Sequence, residues 1–600
     1  MLRRYLSFYP KMILQSKNYS FAVHLVVLII TLIAWLGCTG SEQSAKHGEK
    51  PDAPPSLSLR FKEVTTEAGL GEFRHEIGAF GEKWIPESMG SGCGFIDYNG
   101  DGWQDILLIA GGEFPESGRG PIPALWLYRN NRDGTFTQVT RETGLADVVA
   151  YGLGMAVGDY DNDGDEDLYF STLWEDMLFR NDGGVFTDVS EETGVGYASF
   201  WSSSAIFFDA DRDGWLDLYV GAYIEWSPEK DLWCTTDGKN KGYCTPEIYK
   251  GLPGRYYHNN VDGTFTDMSE EAGFIPAPGK SLGVTEFDFN RDNWPDLLVA
   301  NDTQPDLLYR NNGDGTFKEI GALSGIAYDE NGRARAGMGV DAGVVDDTGE
   351  ETVFVANFAK EMIGIFRHAG NGIFIDRSAA SKIGLSSLMV LTFSVFLIDA
   401  DLDGDLDLFA ANGHVQPDIE MIQDGVTHAQ AANIYMNQGN GIFQDVAAQT
   451  GNDLVRPIVA RGAAYADYDR DGDIDLLVAE NAGPVHLYRN DLQEGHFLRL
   501  SLKGTKSNQN GIGSQVIASL NGKRMYRRVR SGSSYLASNE RTAIFGLGDA
   551  THVDSLWVHW SSGEISRFGR IEGDREVLLV EGLDTLSEIP MADRMALAER

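Results

Sequence analysis

One nine-residue block, met seven times, limits this chain more than any other feature. Residues 97–105 place Asp97, Asn99, Asp101 and Asp105 at positions one, three, five and nine, with Gly102 at position six. The block returns as Asp159, Asp161, Asp163 and Asp167; as Asp209, Asp211, Asp213 and Asp217; and as Asp288, Asn290, Asp292 and Asp296. It returns again as Asp399, Asp401, Asp403 and Asp407, and as Asp467, Asp469, Asp471 and Asp475. A degenerate fifth copy, residues 344–352, keeps Asp346 and Gly349 but puts Val344 first and Thr352 last. A short apolar strand follows each block. An aromatic-led tripeptide comes next, ending in Asn130, Asn181, Asn259, Asn311, His368, Asn437 and Asn490. A Gly-x-Phe turn then opens a strand at Phe136, Phe186, Phe265, Phe317, Phe374 and Phe443, and Phe61 supplies the seventh phenylalanine without its own turn. Each unit therefore carries about four short strands, and a four-stranded sheet cannot bury both faces alone. Radial stacking covers them and protects the edges. The repeats predict an all-β fold, a seven-bladed β-propeller over residues 59–494, with a linear β-solenoid as the competing arrangement. The strand at Phe61 is expected to close the ring against the last unit.

The blocks also predict their own chemistry. Side chains at positions one, three and five can converge on one point. Gly, or Asn293 in the fourth loop, allows the sharp positive-φ turn, and a carbonyl at position seven and the carboxylate at nine can complete the shell. Oxygen-only donors at this spacing suit Ca²⁺, whereas Mg²⁺ wants stricter geometry and transition metals want His or Cys. The six intact blocks hold 26 acidic groups against three arginines, or −23 of the chain's −40 net charge. About six Ca²⁺ ions are expected in them and none in the fifth. A surface this negative repels phosphate backbones, so nucleic acid is not an expected partner.

The ends of the chain read differently. Arg3, Arg4, Lys11 and Lys17 precede an apolar run over residues 21–37 that stops at Cys38. This resembles a bacterial lipoprotein signal with Cys38 as the lipidated residue, although Trp35 departs from the usual aliphatic; an uncleaved membrane anchor is the other reading. Both export the remainder, to the cell envelope and an outer-membrane or surface location. Residues 1–38 are thus an export segment and residues 39–58 a flexible tether. After the propeller, alternating strands at residues 497–502, 515–520, 525–529, 542–545 and 555–560 predict a small β-sandwich-like domain over residues 495–572. Its Lys523, Arg524, Arg527, Arg528 and Arg530 form a dense basic patch. That patch could dock on the acidic propeller, grip an anionic glycan or lipid headgroup, or be one solvated strand face. Residues 573–600 read as a tail, ending in a short amphipathic helix over 585–600.

The acidic loops resemble the FG-GAP/VCBS repeats of integrin-α-type propellers. The stretch from Phe497 to Phe568 resembles the ASPIC/UnbV domain of the cartilage acidic protein family, on Leu498 to Leu500, Gly504 to Asn508, Gly511 to Gly513, Val529 to Leu536, Phe545 to Gly548, Val553, Asp554 and Val558 to Gly563. The resemblance implies a calcium-binding propeller followed by a small β-rich module, usually extracellular, without a defined activity.

Elsewhere the chemistry is sparse. Cys234 and Cys244, ten residues apart in the longest insertion, are candidate disulfide partners in an exported chain, with two free thiols as the alternative. Cys93 reads as a small buried residue. His414, together with Asn301, Asp302, Asn357 and Asn481 at equivalent positions, is either part of a ligand-contacting ring or ordinary turn chemistry. Residues 273–281 fail as a phosphate loop, because five residues separate the glycines and Pro276 and Pro278 remove donors. Two functions follow. The first is an envelope-anchored, calcium-stabilised module binding a protein or glycan; the second is a secreted hydrolase or lyase acting on polysaccharide or lipid, with no catalytic residue assigned.

Overall fold

The computed structural model describes residues 59–196, 200–235, 238–275, 278–492 and 494–591. The export segment, the tether and Cys38 lie outside them. Seven consecutive sheets, each of four strands from the repeats, account for residues 61–490. The pattern is set by the second: Gly152–Gly158, Asp167–Thr172, Met177–Asn181 and Phe186–Asp188, all antiparallel neighbours. The first strand of each sheet touches the first strand of the next, and the seventh returns to the first. The arrangement is a closed ring, hence a propeller and not a solenoid.

Closure uses both ends of the repeat region. The seventh sheet takes Ala460–Ala466, Asp475–Glu480 and Val485–Asn490 from late in the chain and Phe61–Glu63 from its start, with Phe61 opposite Asn490. Apolar clusters fill the space between neighbouring sheets. Phe95, Ile106 and Tyr128 of the first sheet pack against Ala464, Leu477 and Leu487 of the seventh.

The repeated asparagine explains why the tripeptide and the acidic block keep one phase. In every sheet but the fifth, its backbone N–H donates to the position-nine aspartate, for example Asn181 to Asp167 Oδ1 at 2.8 Å. Its side-chain amide donates to the position-two carbonyl of the neighbouring sheet's loop and, in all but Asn490, to a carbonyl in its own loop. Asn181 Nδ2 reaches Tyr98 O at 2.8 Å, Asn259 reaches Tyr160 O at 2.8 Å and Asn130 reaches Tyr468 O at 2.8 Å. Asn311, Asn437 and Asn490 reach Ala210, Val345 and Ala400 in the same way. One buried carboxamide thus rivets two sheets. The fifth sheet carries His368 and Thr352 at the two corresponding places, so it lost the rivet and the carboxylate together.

The C-terminal domain packs two four-stranded sheets around one core that includes Leu498, Val516, Phe545, Leu556 and Leu579. It is larger than the sequence reading allowed. Arg575–Val580 pairs in parallel with His496–Lys503, and Leu586–Ile589 pairs beside it, so the supposed tail supplies two strands and the helix expected to start at 585 starts as a strand. Residues 592–600 lie outside the described residues.

Replacing Asn259 by Ala deletes the bonds to Tyr160 O and Leu216 O and leaves buried carbonyls unpaired. A loss of about 1–3 kcal/mol is expected, read as a lower denaturant midpoint. Lys318→Ala, on an exposed strand position, should stay within about 0.5 kcal/mol.

Candidate metal centres and the domain that covers them

Each acidic loop joins the first and second strands of its sheet, so all lie at one end of the ring. Position one shapes the loop: in the first, second, fourth and seventh loops its carboxylate accepts the amides of positions five and six, and in the sixth it accepts that of position six. Asp97 takes Asp101 N at 2.9 Å and Gly102 N at 2.8 Å, and Asp467 takes Asp471 N at 3.0 Å and Gly472 N at 2.9 Å. The tight turn puts position six at positive φ, from +64° at Asn293 to +102° at Gly472. Position four is left-handed as well, and there Arg212, Arg291, Leu402 and Arg470 stand where glycine would be easier. Such residues cost roughly 1–3 kcal/mol each and persist where surrounding structure holds them. Sequence reasoning missed this strain, which only Gly100 and Asn162 hint at.

The predicted ligands converge in four loops. Carboxylate oxygens of Asp159, Asp161 and Asp167 lie within 4.8 Å of one another, as do those of Asp209, Asp211 and Asp213. Asp399, Asp401 and Asp403 do the same, and so do Asp467, Asp469 and Asp475. The first and fourth loops carry Asn99 and Asn290 at position three and form no such three-carboxylate set among the described residues. Asn290 turns its amide onto Asp292 Oδ2 at 2.7 Å. In the third loop Asp217 is drawn off to His258 Nδ1 at 3.0 Å.

A cation fits the convergent loops, and the first loop shares their buried, unpaired carboxylate. Asp105 Oδ2, Asp209 Oδ1 and Asp469 Oδ1 are buried without any hydrogen-bond partner, a costly state for a carboxylate unless a charge faces it. Burial, with neighbouring carboxylates adding to it, pushes Asp97 and Asp159 up to about 7, Asp209 to about 8 and Asp105 to about 9. The degenerate loop has solved the problem internally: Asp346 pairs with Arg367 at 3.3 Å and accepts the Thr348 amide at 3.0 Å.

The basic patch docks on this acidic face. Arg527 bonds Asp399 at 2.8 Å, Arg528 bonds Glu351 at 3.2 Å, Arg530 bonds Asp341 at 2.7 Å and Lys523 bonds Asp405 at 2.7 Å. Arg499, 2% exposed, is surrounded by Asp467, Glu540 and Glu576. From the same domain, residues 529–541 run across the first strands of all seven sheets. Ala537–Ser538 pairs in parallel with Cys93 and Gly94, Ser531 bonds both backbone groups of Phe207, and Ser534 bonds both of Val340. Arg530 reaches Thr285, Tyr535 packs on Phe393 at 5.0 Å and Glu540 N donates to Tyr465 O. Leu536 lies so close to Gly92 and Gly154 that a Cβ at either would fall within 2.7 Å of it. The segment fills the middle of the ring.

The remaining candidates are structural. Cys234 and Cys244 form a disulfide, and Cys93 is a buried free thiol. His414 is 1% exposed against Phe358, and burial lowers it to about 4. Asp302 accepts the Tyr223 hydroxyl at 2.6 Å, while Asn301 and Asn357 bond turn carbonyls. These side chains brace loops instead of lining an open cleft.

Residues 97–170 and 288–343 match the family described as FG-GAP-like repeat, and residues 504–585 match ASPIC and UnbV. The propeller thus carries FG-GAP-like repeats, and the domain that follows it carries the ASPIC/UnbV match. It is similar to cartilage acidic protein 1 of Homo sapiens, 22% identical over 346 residues, which are 54% of this chain and 47% of that protein. The Xenopus tropicalis protein of the same name is 24% identical over 291 residues, 46% and 41% of the two chains. The chain spans about half the length of the curated relatives it matches. Among solved structures it is similar to an Agrocybe aegerita lectin that recognises non-reducing terminal N-acetylglucosamine, at 14% identity, TM-score 0.38 and 66% and 87% coverage. It is also similar to YCF48 bound to D1 peptide, at 9% identity, TM-score 0.38 and 73% and 98% coverage.

The raised carboxylates give the metal-free chain a pH signature. Each binds protons more tightly folded than unfolded, so its stabilising contribution is complete below about pH 4 and is lost as pH rises through the folded value. In chelator, the melting temperature should therefore fall between about pH 4 and pH 9, spanning the window set by Asp97, Asp159, Asp209 and Asp105. A flat or rising profile over that range would contradict the assignment.

Proposed function

We propose that the chain is an exported, envelope-anchored calcium-binding propeller that serves as an interaction module for a protein or glycan. The observation that carries the calcium reading is the pair of buried, partnerless oxygens on Asp209 and Asp469, each converging with two further carboxylates of its own loop. Ligands would come from positions one, three, five and nine, all oxygen donors, as a hard cation requires. Bound Ca²⁺ would neutralise each loop and fix the strand that follows; this chain's own part is to hold the carboxylates in place through the amides of positions five and six. Export is supported by the Cys234–Cys244 disulfide, which fits an oxidising compartment, and by the basic stretch and apolar run that stop at Cys38.

Asp159→Ala combined with Asp161→Ala removes two ligands of the second loop. The double variant should melt several degrees below wild type in calcium and lose clearly less in chelator, where relieved like-charge repulsion offsets the amide bonds that Asp159 gives up. Equal losses in both conditions would defeat the calcium reading. Anchoring is tested separately: Cys38→Ala should move the chain from the membrane to the soluble envelope fraction, and an unchanged distribution counts against lipidation. A glycan array probed with the ectodomain, with calcium and with chelator, tests the glycan arm of the partner reading.

A further inference from the structure

The six position-one aspartates stand in six different sheets, yet they share one neighbour. Asp399 Oδ2 accepts Arg527 Nη2 and the Gly546 amide, both at 2.8 Å. Asp467 Oδ2 accepts Arg499 Nη1 at 2.7 Å, and the Asp467 amide donates to Glu540 at 2.8 Å. Asp209 Oδ2 accepts the Ser561 hydroxyl at 3.2 Å, and the Asp159 amide donates to Asn510 Oδ1 at 2.8 Å. The other two are reached through one intervening glutamate each. The amides of Asp97 and Asp288 donate to Glu166 and Glu351 at 2.9 and 3.1 Å, and those glutamates are held by Arg541 and Arg528. All these outer partners but Glu166 and Glu351 belong to the C-terminal domain. At the fifth loop, where Val344 offers no carboxylate, Arg530 goes to Asp341 and to Ala342 O instead.

We propose that the ASPIC/UnbV domain is a common outer layer for the six loops, coupling cation binding on sheets that do not share a loop, with Arg527 and Arg499 as positioning residues for the sixth and seventh. The inference rests on the calcium reading above. A carboxylate held by a guanidinium and an amide cannot rotate, so Asp399 keeps Oδ1 on the side of the turn, 3.3 Å from Gly404 N, before any ion arrives. Outer partners of this kind are typically worth 10–100-fold in metal affinity. Linkage is reciprocal: if docking of the domain favours cation binding, bound cations favour docking by the same factor. Loops with no direct contact then respond to one another through the shared domain, and chelation should loosen the basic strand and the segment in the ring.

The test uses the full chain, stripped of metal and titrated with Ca²⁺ against a chromophoric chelator, alongside hydrogen exchange of residues 515–541. Wild type should titrate more steeply than independent sites allow, and the amides of 515–541 should lose protection when calcium is removed. Arg527→Gln should weaken one site about 10-fold and flatten the titration, with Arg527→Lys recovering part of the loss. A purely structural role would lower stability without singling out one site. Arg499→Gln should do the same at the seventh loop; because Arg499 is buried, its failure to fold leaves the decision to the Arg527 variants. A titration of Arg527→Gln that superimposes on wild type, or protection of 515–541 that is equal in calcium and chelator, overturns the coupling. A wild-type chain that takes up no calcium removes the underlying reading as well, and that result is visible before any variant is compared.

Discussion

The ring depends on one buried carboxamide used six times. Each asparagine ties the position-nine aspartate of its own sheet to a carbonyl on the neighbouring sheet, so the acidic loops and the joints between sheets are one construction. Apolar packing between sheets supplies most of the burial but has no direction. The asparagine sets how far apart neighbouring loops stand and which way the acidic blocks face. Where it is absent, at His368, the acidic block has decayed too.

The second constraint is electrostatic. A face made of six acidic loops would repel itself, and the structure answers that in two places. The loops offer cages for cations, and the C-terminal domain lays Arg499, Arg527, Arg528 and Lys523 on them from above. The buried arginines are tolerated because each meets carboxylates within hydrogen-bond reach.

Most of the propeller was legible in the sequence because its signals are local and repeat in phase. Asp, Asn, Gly and Phe each mark a turn or a strand end, and Phe61 announced the closing strand by matching the others. The partner of the basic patch was not legible. Arg527 and Asp399 are far apart in the chain, and a cationic strand face looks the same whether it meets water or a carboxylate. The segment at residues 529–541 was recognisable by likeness alone, since its serines and Tyr535 show no periodicity. Arg575–Val580 was passed over although Val577 and Leu579 alternate inward, and Leu586–Ile589 is an exposed edge with no apolar face to betray it. The strained position four escaped because Arg212 and Leu402 carry no turn preference.

The order of synthesis gives the ring's closure a further meaning. The first strand, Phe61–Glu63, must wait for Val485–Asn490 before it has a neighbour, and residues 529–541 emerge later still. A nascent chain therefore holds an unclosed row of sheets until about residue 490 and a hollow centre until residue 541, and while the edges are unpaired exposed strands invite wrong partners. Chains cut short before residue 485 would be expected to persist in that open form, and chains cut between residues 490 and 529 to close around an empty centre, so the stretch from 485 to 541 acts as the quality mark of the ring.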